Sequence, residues 1–422
     1  MLIKNLFKDR LLRNFISMST MLGVSYAVQF ATIPYLFKTL GAEIAGVINL
    51  ALTVTNIFIN ITDFGYYVTG TKEIAEIVPN RVKTMAVFKE IVFTKMLLTI
   101  IALPGYIVFV QFGLSPFYRE FAEVFYGFYI WLIVTQLFPM WLLQGLQDNK
   151  FLSASQSGNR IAQFVLIFLF VKKDSPPIIV PAIYVFTTSI TVIATYYYIK
   201  KRHHLMPKGS FGFLIFVKRL KSDFNIFISN FLNNIYSTSS VLVLSYFIPA
   251  SAIGWFSVCD KLILGLRQIC SIALPVLMPK SVRLLKENNI GDFNKLMFTS
   301  TVALLVLYLL FYLFFNFFHE RILHYLFNSY NSDAFALLNI SSLILIAVTL
   351  QLKPYIKKLA LDNGKNFKIY YAICSVFYFT TTPALCYFLG TYGACIGIIA
   401  TEFLILFFLN NGTIYKDSSK TI

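Results

Sequence analysis

Seven charged residues lie inside long apolar runs of this chain. Residues in such positions could bind ions or polar groups. The seven are Asp63, Lys95, Arg160, Asp260, Lys261, Arg267 and Glu402. A charged side chain at the centre of a bilayer costs at least about 2.5–3.5 kcal/mol on insertion scales. Such a residue therefore usually faces other protein or a water-filled cavity, and these seven are the first candidates for a site.

The cations Arg160, Lys261 and Arg267 are predicted to line an aqueous cavity that holds an anionic group. Gln163 follows Arg160 by three residues and Gln268 follows Lys261 by seven, so each glutamine shares a helix face with its cation. Further uncharged polar lining is predicted at Gln29, Asn60 and Asn233. The alternative is that these cations form structural ion pairs or reach the membrane surface from helix ends.

The acids Asp63, Asp260 and Glu402 could carry a proton or bind a cation, which would couple the protein to a proton or sodium gradient. They could equally pair with Lys or Arg in a neighbouring helix, and both interpretations stay open. Asp260 is expected to point away from Lys261, and Lys95 is expected to extend toward the cytoplasmic surface. Pro34 and Pro275 are candidate hinges, because proline interrupts the helical hydrogen bonds.

These residues must be positioned by apolar runs of about twenty residues, which recur about twelve times between Phe15 and Asn411. Twenty residues of helix cross the hydrocarbon core of a bilayer. The chain of 422 residues is 57% hydrophobic and only 13% charged. An all-α polytopic membrane protein is therefore predicted, with spans near 14–37, 43–69, 91–112, 121–145, 151–171, 178–199, 223–248, 252–278, 296–318, 333–352, 367–389 and 392–411.

The basic residues predict which side of the membrane each connection occupies. The N-terminus, the even-numbered connections and the tail, counted with Lys368, carry 27 Lys and Arg, whereas the odd-numbered connections carry five. Since basic residues hold loops on the cytoplasmic side, both termini are predicted to be cytoplasmic. The net charge of +17 is explained in this way, without a nucleic-acid partner.

A basic connection at 200–222, with an amphipathic stretch at 211–220, predicts two six-helix lobes at 1–199 and 223–422. A faint repeat with an offset of 208 residues relates Leu40–Gly46 to Ile248–Gly254. Parallel repeats of this kind are common in transporters.

Motifs for several kinds of enzyme are absent from the sequence. It contains no phosphate-binding G-x-x-x-x-G-K-[ST], no dinucleotide glycine fingerprint, no HExxH and no GxSxG. The five cysteines all fall in apolar runs and are predicted to be packing residues, with no metal site. We expect no enzyme activity and no cofactor. A membrane polymerase or glycosyltransferase would need a large outer loop, and the odd connections are short.

Several motifs are similar to those of a known family. In the first 75 residues they are Gln29, Pro34, the Leu40-Gly41 turn with Gly46, I-T-D-F-G-Y at 61–66 and T-K-E-I-A at 71–75. The last span contains Y-G-A-C-I-G-I-I-A-T-E-F at 392–403. This pattern resembles the O-antigen and capsule flippases of the multidrug/oligosaccharidyl-lipid/polysaccharide (MOP) exporter superfamily. That family often has Arg at position 72, where this chain has Lys, which keeps the charge.

The resemblance implies a MATE-like fold of two six-helix lobes around a central cavity. It implies a flippase in the bacterial inner membrane that moves an undecaprenyl-pyrophosphate-linked glycan from the cytoplasmic to the outer leaflet. Membrane lipids would be partners, and a glycan polymerase and chain-length proteins are further expected partners. The alternative within the superfamily is a drug or cation antiporter. That function predicts a cavity dominated by acids, whereas four of the seven charged candidates named above are basic.

Overall fold

A computed structural model describes residues 10–78, 80–207, 212–327, 330–362 and 366–411. Within these ranges the chain forms helices joined by short connections, and no strand occurs. The side chains of Asn233 and Pro275, two predicted site residues, lie outside the described part, although both positions are helical. The chain divides into two compact units, Met1–Phe231 and Leu232–Ile422.

The helices of the first unit follow the predicted spans closely. They are α1 (Arg10–Asp63), α2 (Tyr66–Ile77), α3 (Arg81–Val108, continued by a π turn at Phe109–Gly113), α4 (Pro116–Arg119), α5 (Ala122–Leu137), α6 (Met140–Gly145), α7 (Asn149–Phe170) and α8 (Ile179–His203). Helix α9 (Phe213–Thr238) begins in the first unit and ends in the second. The predicted amphipathic segment is therefore the start of α9 from Phe213 on, while Phe211 lies outside the described residues.

The second unit continues with helices of similar length. They are α10 (Ser240–Leu244), α11 (Ala250–Lys286), α12 (Ile290–Phe327), α13 (Ser332–Ser341), α14 (Leu343–Asp362), α15 (Phe367–Leu389) and α16 (Thr391–Asn411). Each of the twelve predicted spans overlaps one or two of these helices. The unit boundary falls within α9, and the predicted lobe limits at 199 and 223 stay a prediction.

Eight helical segments of the described chain are long and apolar enough to cross a membrane. The segment Thr20–Ile77 covers the second predicted span and most of the first, and α7, α9 and α11 fall outside the eight. These three helices carry Arg160, the asparagines of α9, and the Asp260–Arg267 group. The prediction of a polytopic all-α membrane protein is confirmed.

Helix α1 is broken at Gly41, where φ is 86° and ψ is 164°. This left-handed conformation favours glycine, because it has no Cβ to collide with the backbone. The break divides α1 into two arms that correspond to the first two predicted spans. Pro34 lies inside the first arm, so the change of direction occurs seven residues after the predicted hinge.

The core of the first unit is built where α2 packs against α6. Trp141, Tyr66 and Phe88 are almost completely buried there. A Cβ added to Gly145 would lie 2.6 Å from Cβ of Ile74, so only glycine permits this approach. In contrast, α12 exposes a continuous apolar surface from Leu309 to Phe314. An exposed apolar surface of this size is typical of contact with lipid.

Candidate functional site

Side chains of four helices meet within the second unit at the carboxylate of Glu402, which lies on α16 and is completely buried. Arg267 of α11 places Nη2 2.6 Å from Oε1 of Glu402. Gln351 of α14 donates from Nε2 to Oε2 at 2.8 Å and to the backbone oxygen of Glu402 at 2.9 Å. The hydroxyl of Tyr236 on α9 donates to Oε1 at 3.3 Å. We call these four residues the Glu402 cluster.

The Glu402 cluster answers one question that the sequence left open. A buried carboxylate is stable when it is paired with a cation and its remaining lone pairs are hydrogen-bonded. Glu402 satisfies both conditions, so it pairs with a basic residue of a neighbouring helix, which is one of the two interpretations left open by the sequence. Arg267 keeps a fifth of its side chain exposed, and its predicted contact with a substrate stays a prediction.

Lys261 and Asp260 form a loose pair on α11. Nζ of Lys261 lies 3.8 Å from Oδ2 of Asp260, and 30% of the lysine side chain is exposed. The expectation that Asp260 points away from Lys261 is therefore wrong, because the flexible lysine stem bends toward its neighbour. A separation of 3.8 Å is too long for a hydrogen bond, so Lys261 can still donate to another group.

A tight ion pair connects two helices of the first unit. Nζ of Lys95 on α3 lies 2.8 Å from Oδ1 of Asp63, and only 5% of the lysine side chain is exposed. Oδ2 of Asp63 also accepts from the backbone N–H of Tyr67 at 3.3 Å, in the first turn of α2. The expectation that Lys95 extends to the surface is wrong, because Asp63 neutralises it inside the protein.

Arg160 differs from the other cations within the spans. Its Nη1 donates to Oε1 of Gln163 at 3.2 Å, as the spacing on α7 predicts. In the described part of the chain Arg160 takes part in no ion pair. Nε2 of Gln163 and Oδ1 of Asn159 are buried on the same helix, and neither has a hydrogen-bond partner among the described residues. Asn159, Arg160 and Gln163 thus form a polar stripe, which we call the α7 stripe.

The remaining predicted lining residues are spread over several helices. Gln29 and Asn60 lie on the two arms of α1 and Gln268 lies on α11, each of them partly buried. The sequence analysis missed Tyr236 and Gln351 of the Glu402 cluster. Gln351 lies near the end of an apolar run, and this position is the only feature of the sequence that could have identified it as a site residue.

The sequence analysis also missed a contact of Gln136 with α1. This glutamine donates to Oγ1 of Thr62 at 2.6 Å and to the backbone oxygen of Ile59 at 3.2 Å. Both contacts fall close to Asp63, in the segment that carries the I-T-D-F-G-Y motif. The polar groups of that segment therefore serve helix packing in the first unit.

Comparison with known proteins identifies relatives along most of the chain. The sequence profile of a family described as polysaccharide biosynthesis protein matches residues 11–285. A protein of Escherichia coli (strain K12) is 28% identical over 265 residues, which is 61% of each chain. A protein of Shigella dysenteriae is 22% identical over 404 residues, covering 92% of this chain and 96% of the relative. Both carry the name "Putative O-antigen transporter".

Solved structures match the fold over nearly the whole chain. An inward-facing multidrug resistance MATE family transporter of the MOP superfamily has a TM-score of 0.68 at 14% identity, covering 92% of each chain. The lipid II flippase MurJ has a TM-score of 0.65 at 15% identity, covering 94% of this chain and 86% of the other. The resemblance predicted from the motifs is confirmed. The chain belongs to the polysaccharide biosynthesis protein family.

Proposed function

We propose that this member of the polysaccharide biosynthesis protein family is a flippase for a polyprenyl-pyrophosphate-linked oligosaccharide. The substrate would be an O-antigen or capsule repeat unit on undecaprenyl pyrophosphate, moved from the cytoplasmic to the outer leaflet. A pyrophosphate and its sugars cannot cross hydrocarbon unassisted, whereas the prenyl tail can stay in lipid. The protein therefore needs to shelter only the head group. The names of the two relatives support a substrate of this class.

The observation that carries this proposal is the charge of Arg160. It lies within a predicted span, and its hydrogen-bond partner is the neutral amide of Gln163. A guanidinium without an acid partner can form bidentate, charge-assisted hydrogen bonds with a phosphate group. Oδ1 of Asn159 and Nε2 of Gln163 have no hydrogen-bond partner among the described residues and could form further hydrogen bonds beside it. In the second unit, Lys261 is held only loosely by Asp260 and can donate to an anionic group.

Arg267 enters the proposal in a different way, because Glu402 balances its charge. We assign it first to holding α11 against α16 and second to a substrate contact through its exposed fraction. Loss of Arg267 would then reduce both stability and transport, whereas loss of Arg160 would reduce transport alone.

The charge bias of the connections supports an orientation of the protein in the membrane. The protein is proposed to lie in the bacterial plasma membrane with both termini in the cytoplasm. Alternating access of two lobes around a central cavity is the simplest cycle for such a protein. A glycan polymerase and chain-length proteins would then act on the translocated product, and a proton or sodium gradient would drive the cycle.

The test uses a strain that lacks this protein and is complemented with single variants. Arg160→Ala and Lys261→Ala should abolish surface glycan while the protein level in the membrane stays normal. Arg160→Lys should retain part of the function, because it keeps the charge. Arg283→Ala is the matched control, since Arg283 lies on α11 like Lys261 but has a 78% exposed side chain paired with Glu287. Normal glycan in both alanine variants would refute the role of these cations.

The alternative function is a drug or cation antiporter. It predicts that deletion raises sensitivity to cationic drugs and leaves surface glycan intact. Each of the acids Asp63, Asp260 and Glu402 lies within 4 Å of a basic side chain, which does not favour a free acidic site for a drug cation. Measuring both phenotypes in one deletion strain separates the two functions.

A further inference from the structure

A second cluster of charges lies in the first unit, apart from the α7 stripe. Arg219 on α9 bridges two carboxylates from two other helices. Its Nη1 and Nη2 contact Glu73 of α2 at 2.9 and 3.1 Å, and its Nε contacts Glu90 of α3 at 2.8 Å. Only 12% of the arginine side chain is exposed. The guanidinium thereby attaches the start of α9 to α2 and α3.

Asp223 follows Arg219 by one helical turn and joins this cluster. The residue is 9% exposed, and its Oδ2 is buried without a hydrogen-bond partner among the described residues. The charged groups that act on it are Arg219 from its own helix and Glu73 from α2. Lys218 and Lys221, its other cationic neighbours on α9, are exposed.

The charges of this cluster do not balance when every carboxylate is ionised. Glu73, Glu90 and Asp223 are three anions around one guanidinium, whose hydrogen bonds already go to the two glutamates. The glutamate side chains are 38% and 23% exposed, so water can hydrate them. Oδ2 of Asp223, in contrast, is buried and accepts no hydrogen bond from a cation among the described residues. Burial is the largest effect on this carboxylate and opposes its ionisation; Arg219 favours ionisation, and the charge of Glu73 opposes it.

A second polar group without a partner lies beside Asp223. Tyr66, the first residue of α2, is completely buried, and its hydroxyl has no hydrogen-bond partner among the described residues. The charges of Asp223 and Asp63 both act on this hydroxyl. Oδ2 of Asp223 and the Tyr66 hydroxyl are thus two buried polar atoms of one cluster for which the described residues provide no short hydrogen bond, and such groups require an explanation.

The missing positive charge fits a proton better than a metal ion. The Arg219 guanidinium occupies the space between Glu73 and Glu90, where a metal ion would need both carboxylates as ligands. In the part of the chain that the structure describes, no group of three or more His, Cys, Asp or Glu side chains could hold a metal ion. A single buried oxygen atom can still accept a proton.

We propose that Asp223 is a proton-binding site that couples the transport cycle to a proton gradient. This inference rests on the proposed function and names its driving ion. On binding, one proton from the aqueous phase forms an O–H bond with the Asp223 carboxylate, and on release the same bond breaks. Loss of the proton adds a third anion beside Glu73 and Glu90, which weakens the attachment of α9 to α2 and α3. The proton therefore controls how firmly the start of α9 is held by α2 and α3, and α9 is the helix that continues into the second unit.

The first experiment measures proton binding without transport. The melting temperature of the purified protein in detergent is followed between acidic and alkaline pH for the wild type and Asp223→Asn. The asparagine variant mimics the protonated state, so its advantage over the wild type should grow as the pH rises. Asp174→Asn is the matched control, since Asp174 is exposed and has a φ of 67° that asparagine tolerates. If the difference in melting temperature between the wild type and Asp223→Asn does not change with pH, the proposal is overturned.

The second experiment measures coupling in proteoliposomes that contain a fluorescent lipid-linked oligosaccharide. A pH gradient should accelerate flipping by the wild type, and a sodium gradient should not. In Asp223→Asn the ratio of rates with and without the pH gradient should fall to unity, while flipping without a gradient persists. An unchanged ratio in the variant, or acceleration by sodium alone, overturns the proposal. If the wild type flips nothing, the proposed function fails, and the melting experiment still decides whether Asp223 binds a proton.

Discussion

Nη2 of Arg267 lies 2.6 Å from Oε1 of Glu402, and this contact connects α11 to the last helix of the chain. The carboxylate is completely buried, whereas a fifth of the arginine side chain is exposed. Removing one member of a buried ion pair leaves the other charge without compensation, which costs about 3–5 kcal/mol. The contact therefore makes the second unit sensitive to single substitutions at either residue.

The first prediction is a stability cycle at this pair. Glu402→Gln and Arg267→Met should each lower the melting temperature in detergent, because each leaves an unbalanced polar group in the bundle. The double variant Arg267→Met, Glu402→Gln should be more stable than the sum of the two single effects predicts. Strict additivity of the two losses would show that the 2.6 Å contact does not stabilise the protein.

The second prediction separates transport from stability at the α7 stripe. Arg160→Ala should lower the free energy of unfolding by no more than about 1 kcal/mol, because it loses one hydrogen bond to a neutral amide. Its melting temperature should therefore stay close to that of the wild type. Flipping of the labelled lipid in proteoliposomes should fall at least tenfold. A melting temperature as low as that of Arg267→Met would assign Arg160 to structure instead.

The third prediction concerns the loose pair on α11. Asp260→Asn should leave flipping nearly unchanged, because the 3.8 Å contact does not hold Lys261 in place. Lys261→Ala should reduce flipping strongly, and Lys261→Arg should retain much of it. The same flipping assay measures all three variants, and equal losses for Asp260→Asn and Lys261→Ala would show that the pair acts as a unit.

The fourth prediction uses two helical glycines as a matched pair. Gly145→Ala should destabilise the protein by about 1–3 kcal/mol, because the new Cβ would lie 2.6 Å from Cβ of Ile74. Gly158→Ala on α7 meets nothing within 4 Å and should stabilise by about 0.5–1 kcal/mol through helix propensity. Melting temperatures of the two variants should therefore shift in opposite directions.

The fifth prediction tests the sidedness of the connections. All five native cysteines are buried, so a membrane-impermeant maleimide should label the wild type weakly. Lys173→Cys, in an odd-numbered connection, should be labelled on intact cells. Lys201→Cys, in the basic connection, should be labelled only after the membrane is permeabilised. The reverse pattern would place the termini outside the cytoplasm.

The class of protein was predictable from the sequence because the bilayer imposes a length and a composition on each span. The twelve predicted spans all fall on helices, and the turn at Leu40-Gly41 coincides with the break in α1 at Gly41. The division of the chain into two units was harder to predict from the sequence. Arg219 appeared in the sequence as one more base of a cytoplasmic connection, whereas in the structure it lies on a helix that belongs partly to each unit.

The candidate site was only partly predictable, because charge alone does not show which groups meet. The spacing of Arg160 and Gln163 on one helix predicted their contact, since both residues share a local helical face. The partners of Lys95 and Arg219 could not be found in this way. Glu73 and Asp63 reach them from other helices, and contacts between helices depend on packing rather than on spacing along the chain.

The sequence by itself determined that this is a helical membrane protein, and it also determined the family to which the protein belongs. Those properties depend on local composition and on short motifs. Only the tertiary structure decided that Arg267 pairs with Glu402, that Lys95 pairs with Asp63, and that Arg160 forms no ion pair among the described residues. The physical reason is that ion pairing acts over a few ångströms, and helix packing alone sets those distances between residues far apart in the chain.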